Sequence, residues 1–387
     1  MDTFKTPKAK RPRKSQFTPT KEGATPVKIP ASPFMEKLGW GTAVSVYRME
    51  RSPKVGCIRS PWAIKRVIHR NSTSRKSRAS SGNEISGRLC KEAEILKSLD
   101  HPNIVGFRAF TKSVDGRFTL AMEDGQRSLL SLIEERLEKV ETSLLPVGSH
   151  DDSGNTGQLV PDMPFPAWAV LRVASGLASA LRYLHEEALL MHGDMKSDNV
   201  LIKGDFDVVK LCDFGVSLKV DKNGEALDGE QYIGTRHWLP PEVISLEDEE
   251  IEWEEGDEPL PKVNTQADMY SYALTAWEML SLKFPHCPTT EDEEEENASN
   301  SFEENLLLGT RPPFPEACLK DPSYVPVIEL IHCCSDEDPD KRPTSEQAVE
   351  WLKLIEASGA MKKTVEEQEN VMPNANGVQT SESPAPS

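Results

Sequence analysis

Two short segments, HGDMKSDNVLI at 192–202 and LCDFG at 211–215, constrain this chain more than any other part of it. The first sets a carboxylate, an ammonium and an amide at Asp194, Lys196 and Asn199. The second adds a carboxylate at Asp213. Two apolar pieces, VLI at 200–202 and VVKL at 208–211, read as a short hairpin that returns the chain to its starting point. Any fold for this sequence must therefore gather a polar site around that hairpin. In an extended loop Asp194 can accept a proton or a hydrogen bond from an incoming hydroxyl. Lys196, two residues on and on the same side, can neutralise a transferring phosphoryl group. The Asn199 amide oxygen and the Asp213 carboxylate are hard donors of the kind that suit Mg²⁺.

Upstream, LGWGTAVSVY sets Gly39 and Gly41 in a turn between two strands, where backbone N–H groups can approach phosphates because no Cβ intervenes. The next strand, WAIKRVI at 62–68, carries Lys65 on its buried side. A buried ammonium needs a partner. Glu92 is a plausible one, on a helix expected over 88–99 with Leu89, Ala93, Leu96 and Leu99 at helical spacing. Further strands are expected at 43–49 and 117–122. A long helix is expected over 166–186, and a last one near 345–357 with Thr344 and Gln347 as a capping box. The order is a small β-rich unit followed by a larger helical one. Segments 70–87, 141–164, 247–258 and 291–296 read as surface insertions, the last two strongly acidic.

Composition narrows the function classes. The 387 residues carry a net charge of −18. Residues 1–28 hold eight Lys/Arg against Asp2 and Glu22, so the tail is about +6 and the rest about −24. Such an acidic body repels phosphate, so no strong nucleic-acid binding is expected. Seven cysteines without a Cys-x-x-Cys pair read as thiols in a reducing compartment. No secretory h-region and no apolar run of about 20 residues is present, so no membrane association is expected and the protein reads as intracellular, cytoplasmic, nuclear or both. Residues 1–29 and 358–387 are polar enough to read as disordered tails flanking one domain at 30–357.

With these motifs in order, the chain resembles the protein kinases over about residues 32–356. Gly39-x-Gly41 and Val46 match the glycine-rich loop. Ala63-Ile64-Lys65 matches the strand lysine, and Glu92 matches its ion-pair partner. His192, Asp194, Lys196 and Asn199 match the catalytic loop, and Asp213-Phe214-Gly215 the metal-binding motif. Gly234-Thr235 and Pro241-Glu242 match the end of the activation segment, Asp268 the helix aspartate that braces the catalytic loop, and Arg342 the partner of Glu242. The resemblance implies an α+β, bilobal fold. Its β-rich N-lobe with one key helix would span about 32–124, and its larger, mainly helical C-lobe about 125–357. It implies ATP and Mg²⁺ as cofactors, with the metal on Asn199 and Asp213. Leu38, Gly39, Gly41, Val46, Ala63, Lys65, Glu92, Met122, Glu123, Gly125 and Leu201 would bind the nucleotide. Asp194, Lys196, Asn199 and Thr235 would carry catalysis, with Thr235 touching Asp194 and Lys196. Phosphoryl transfer asks a protein mainly for positioning and charge neutralisation, which this residue set can supply.

Lys196 in D-x-K-x-x-N and the stretch GTRHWLPPE resemble serine/threonine kinases, and CDFGVS resembles the MAP-kinase kinases. The likeness extends to a MAP-kinase-kinase-like group linked to mitosis. This implies a serine/threonine or dual-specificity kinase with protein substrates, a MAP kinase or a histone being candidates. The competing reading is a pseudokinase scaffold that binds signalling partners without turnover. Three departures stand out. Val44 replaces the usual third glycine and should stiffen the loop. Gly193 replaces the arginine that normally binds an activation-loop phosphate, so activity should not depend on that switch. Ser387 does not supply the apolar terminus a PDZ domain favours. In the basic tail, Thr18 and Thr25 fit the S/T-P-x-K pattern of cyclin-dependent kinases, and Thr6 and Ser32 are weaker proline-directed sites. An upstream cyclin-dependent kinase is therefore expected, and KAKRPRK at 8–14 has the composition of a nuclear import signal.

Overall fold

The computed structural model describes residues 35–41, 44–50, 61–67, 75–113, 117–144, 164–248, 262–286, 308–359 and 361. The described residues divide into two compact units, one running to Asp100 and including 105–124, the other made of His101–Ile104 and the described residues from Gly125 on. The tail sites Thr6, Thr18, Thr25 and Ser32, the basic cluster at 8–14 and the tail from 362 lie outside the described residues. So do 145–163, most of the acidic run from 249, and 291–296.

The first unit is a five-stranded antiparallel sheet with one helix. Its strands are β1 (Met35–Gly41), β2 (Val44–Met49), β3 (Trp62–Val67), β4 (Phe107–Lys112) and β5 (Phe118–Glu123), in spatial order β1-β2-β3-β5-β4. Side chains alternate across a strand, so register fixes the faces. Trp62, Ile64, Met49, Ala109 and Ala121 share one face and pack into a core cluster. Helix α1 (Arg75–Ser98) starts well before the expected residue 88, which corrects the expected helix start. Its first turns, RKSRASSGNEIS, carry no apolar stripe, so periodicity could not reveal them; Leu89, Ala93 and Leu96 are the buried stripe that could.

The second unit is mainly helical. It holds β6 (Arg127–Ser128), α2 (Leu129–Leu144), α3 (Ala167–Arg182), β7 (Leu190–Met191), β8 (Val200–Lys203), β9 (Val208–Leu211), β10 (Leu218–Lys219) and α4 (Pro241–Asp248). Then come α5 (Gln266–Ser281), α6 (Glu316–Lys320), α7 (Val325–Cys334) and α8 (Ser345–Ser358). The hairpin read from VLI and VVKL is β8–β9, antiparallel, with Val200 opposite Leu211. The helix expected over 166–186 is α3 followed by one wider π turn, Tyr183–Ala188, that ends in left-handed Leu189 at φ 51°. A π turn inserts an extra residue into the helical register, and such turns gather at functional sites; this one carries His185. Helix α5 is buried all round from Ala267 to Leu280, the mark of a core helix, so its acids Asp268 and Glu278 must find donors. The capping box on α8 is present: Gln347 N donates to Thr344 Oγ1 at 3.2 Å and Thr344 N to Gln347 Oε1 at 2.9 Å. Among the described residues the five cysteines are free thiols and no helix is long and apolar enough to cross a membrane.

Candidate active site

In the first unit, register places Gly39, Gly41, Val44, Val46, Ala63, Lys65 and Met122 on one face of the sheet. Gly39 stands opposite Val46, Val46 opposite Lys65, and Ala63 opposite Met122. Leu38 falls in the bulge between Lys37 and Gly39 and is exposed. The side chain of Glu123 belongs to the other face, where it takes the Gly106 N–H at 3.4 Å and lies 3.7 Å from Arg108. Lys65 meets Glu92 of α1 at 2.8 Å. Glu92 sits between buried Leu89 and Ala93 and is itself only 2% exposed. A carboxylate in that position is costly alone, and the lysine makes it tolerable.

In the second unit, everything converges on the loop between β7 and β8. Asp268, on α5, is wholly buried and accepts the backbone N–H groups of His192 at 2.7 Å and Gly193 at 2.9 Å. A ring nitrogen of His185 lies 2.9 Å from the same carboxylate, and its other nitrogen 3.1 Å from Ser345 on α8. Burial alone would raise the Asp268 carboxyl, but the hydrogen bond and charge of His185, the charge of His192 and the Gly193 N–H outweigh it and hold it below its ordinary value. Gly193 has φ 78°, and a Cβ there would lie 3.1 Å from the Val216 carbonyl oxygen, so this turn favours glycine.

Asp194 is the hub of what this brace holds. Its Oδ1 accepts the Thr235 hydroxyl at 2.5 Å; its Oδ2 accepts Asn199 Nδ2 at 2.9 Å and lies 2.9 Å from Lys196 Nζ. Lys196 also donates to Thr235 Oγ1 at 2.7 Å. The other Asn199 N–H contact goes to the Asp194 carbonyl at 2.7 Å, which leaves the amide oxygen of Asn199 for another ligand. The β8–β9 hairpin returns the chain as expected: Cys212 N donates to Asn199 O at 3.0 Å, and a His192 ring nitrogen lies 3.0 Å from Cys212 O. Asp213 follows in the left-handed region at φ 65°, a strained conformation for a non-glycine residue of the kind that collects at functional sites. On the same hairpin Leu201 packs against Gly125, where any Cβ would fall inside the leucine side chain.

Asn199 and Asp213 offer an amide and a carboxylate oxygen. Among the described residues no cluster of three or more His, Cys, Asp or Glu makes a self-sufficient metal cage. Such a donor pair fits Mg²⁺, which takes one or two protein oxygens and completes its shell from phosphates and water.

Further from the hub, Arg342 grips Glu242 with both guanidinium arms, at 2.7 and 2.8 Å. Sequence reasoning did not single out His185, Ser197, Trp238 or Glu278, all of which support this loop. An acid inside the apolar run TAWEML was the available signal for Glu278.

Comparison with known proteins places the chain in a class. The protein kinase domain matches residues 33–352, so the chain belongs to the protein kinase family. Its fold is accordingly a kinase domain with a β-sheet N-terminal region and a helical C-terminal region. The chain is 42% identical over 368 residues to the lymphokine-activated killer T-cell-originated protein kinase of Homo sapiens, covering 91% of this chain and 98% of that protein. It is 30% identical over 284 residues to a light-sensor protein kinase of Ceratodon purpureus, 70% of this chain and 19% of that one. With the serine/threonine-protein kinase Nek4 of Mus musculus it shares 26% over 285 residues, 73% of this chain and 28% of that one.

Proposed function

We propose that this chain is a serine/threonine kinase, with tyrosine as a second acceptor class, that moves the γ-phosphoryl of Mg-ATP onto protein hydroxyls. The observation that carries the reading is the cluster on Asp194: one carboxylate held by Lys196, Asn199 and Thr235. In this reading the acceptor hydroxyl gives its proton to Asp194 as its oxygen bonds to the γ-phosphorus. The bond from that phosphorus to the β–γ bridging oxygen breaks, and ADP leaves. Lys196 offsets the charge on the moving group. Asn199 and Asp213 would hold Mg²⁺, which would supply further charge neutralisation. Lys65, set by Glu92, holds nucleotide phosphates. Thr235 shared between Asp194 and Lys196 favours the serine/threonine class, as does the likeness to the serine/threonine-protein kinase Nek4 of Mus musculus.

The stretch CDFGVS supports a MAP-kinase-kinase-like enzyme of proliferation signalling, acting in cytoplasm, nucleus or both, and the S/T-P-x-K pattern at Thr18 and Thr25 supports a cyclin-dependent kinase acting on the tail. Regulation should not rest on an arginine–phosphate contact, since Gly193 offers no guanidinium. The activation segment is instead seated by apolar packing of Leu218, Val220 and Tyr232 on Met191, Leu239 and Ala267. Phosphoamino-acid analysis of a MAP kinase and a histone mixture treated with the purified chain tests the acceptor class. Label on serine and threonine is the expected result; label confined to tyrosine would overturn it.

A further inference from the structure

Glu278 is a buried carboxylate, 1% exposed, with no part in the reading so far. Its Oε1 accepts Ser197 N at 3.1 Å and Trp238 Nε1 at 2.8 Å. Its Oε2 accepts the Ser197 hydroxyl. Ser197 directly follows Lys196. Trp238 N donates to the Thr235 carbonyl at 2.8 Å, and the Trp238 carbonyl is held by Ser271 Oγ at 2.7 Å, one helix with Glu278. A closed ring results, running from Glu278 through Ser197 and Lys196 to Thr235, then through Trp238 back to Glu278. Its outer edge is the Lys196–Thr235 contact at 2.7 Å, where both groups meet Asp194. All three hydrogen-bond donors are neutral, so no opposite charge in direct contact offsets the cost of burying this carboxylate in its ionised form. The carboxylate is therefore better explained by what it holds than by stability.

We propose that Glu278 is a positioning residue for phosphoryl transfer: by joining Ser197 to Trp238 it fixes the two chain segments that set Lys196 and Thr235 on Asp194. The charged form grips best, because each oxygen then only accepts. A proton on Oε2 must be donated, which reverses the bond with the Ser197 hydroxyl. Burial pushes the Glu278 carboxyl up to about 7, against the smaller opposing pulls of Ser197, Trp238 and Lys196. Lys196 is the charged group acting on it from the catalytic loop. On the tryptophan side the titratable neighbour is His237, whose ring lies 6.3 Å from that of Trp238. The grip should thus weaken as the pH falls below neutrality.

The inference rests on the kinase reading, and its test separates the two. Turnover of a peptide substrate is measured from pH 5.5 to 9 for the unaltered chain, Glu278→Gln, Glu278→Leu and Ser197→Ala, with melting temperature alongside. Glutamine keeps the Oε1 contacts and mimics the protonated acid. It should give at every pH the kcat that the unaltered chain shows only in acid, with the limb near neutrality gone and KM for ATP within about twofold. Leucine should lower kcat on the order of tenfold or more. If the leucine variant does not fold, the cycle of Ser197→Ala with Glu278→Gln decides, and non-additive loss of kcat is expected. Turnover unchanged in the folded variants, or additive effects and an intact pH limb in Glu278→Gln, would overturn the assignment of Glu278 alone. No turnover by the unaltered chain would instead overturn the kinase reading, and this inference with it.

Discussion

Replacing Arg342 with alanine should destabilise the second unit more than any exposed substitution. The guanidinium side chain is fully buried. Besides its two bonds to Glu242, it donates to the carbonyls of Asp336 at 2.7 Å, Gln266 at 3.0 Å and Glu337 at 3.2 Å, and its centre lies 5.0 Å over the Tyr270 ring. Breaking a buried ion pair costs about 3–5 kcal/mol when the other charge is stranded. Glu242 keeps 22% exposure, so water can reach it and the lower end, about 3 kcal/mol, applies to the pair. Losing three carbonyl bonds adds roughly 1 kcal/mol or more, since these groups become partly solvated. A total of about 4 kcal/mol, at roughly 3 °C per kcal/mol for a domain of this size, lowers Tm by about 12 °C. Arg342→Lys keeps the charge but not the planar fork and should recover less than half. The assay is calorimetric melting of the three proteins at one pH. A Tm for Arg342→Ala within about 2 °C of the unaltered chain would refute the assignment of these bonds to stability.

Other consequences can be checked on the same purified material. The folded Glu278 carboxyl titrates near 7 against 4.5 for an ordinary glutamate, so between those values the folded chain holds a proton the unfolded chain has released, and stability declines as pH rises through the window. That shift corresponds to about 3 kcal/mol, so Glu278→Gln should melt higher than the unaltered chain at pH 8 and not at pH 5; equal offsets at both would contradict the linkage. Glu92→Gln should cut kcat/KM on the order of a hundredfold by freeing Lys65 from its set position, with steady-state kinetics as the readout and an unchanged value as the contrary result. Thr235→Val, which keeps shape but removes the hydroxyl between Asp194 and Lys196, should lower kcat by roughly tenfold or more, and Thr235→Ser should restore most of it. Equal loss in both would show that the hydroxyl alone does not carry the effect.

The loop around Asp194 was legible because its contacts are built from nearby residues. Asp194, Lys196, Asn199 and Asp213 flank one hairpin, and residue type with spacing is enough to bring them together as a candidate set. Lys65 and Glu92 were legible for a different reason: a strand lysine among buried neighbours needs a counter-charge, and the following helix offered one. The contacts of Thr235 and Arg342 came from family likeness, as no periodicity joins residues 41 or 100 positions apart. What escaped was structure without an apolar signature or with distant partners. The first turns of α1 lack a buried stripe, and the π turn at His185 looks in sequence like ordinary helix. Glu278 finds its donors 81 and 40 residues upstream, a pairing that only the folded chain displays.

The most direct test is phosphate transfer from labelled Mg-ATP to a serine- and threonine-bearing protein substrate by the purified full chain, run beside Asp194→Ala. Acid-stable label that accumulates with the unaltered chain and is absent with the variant, while both bind nucleotide equally, is the expected result. Equal labelling by the two proteins, or none by either with nucleotide binding intact, would contradict the role given to Asp194.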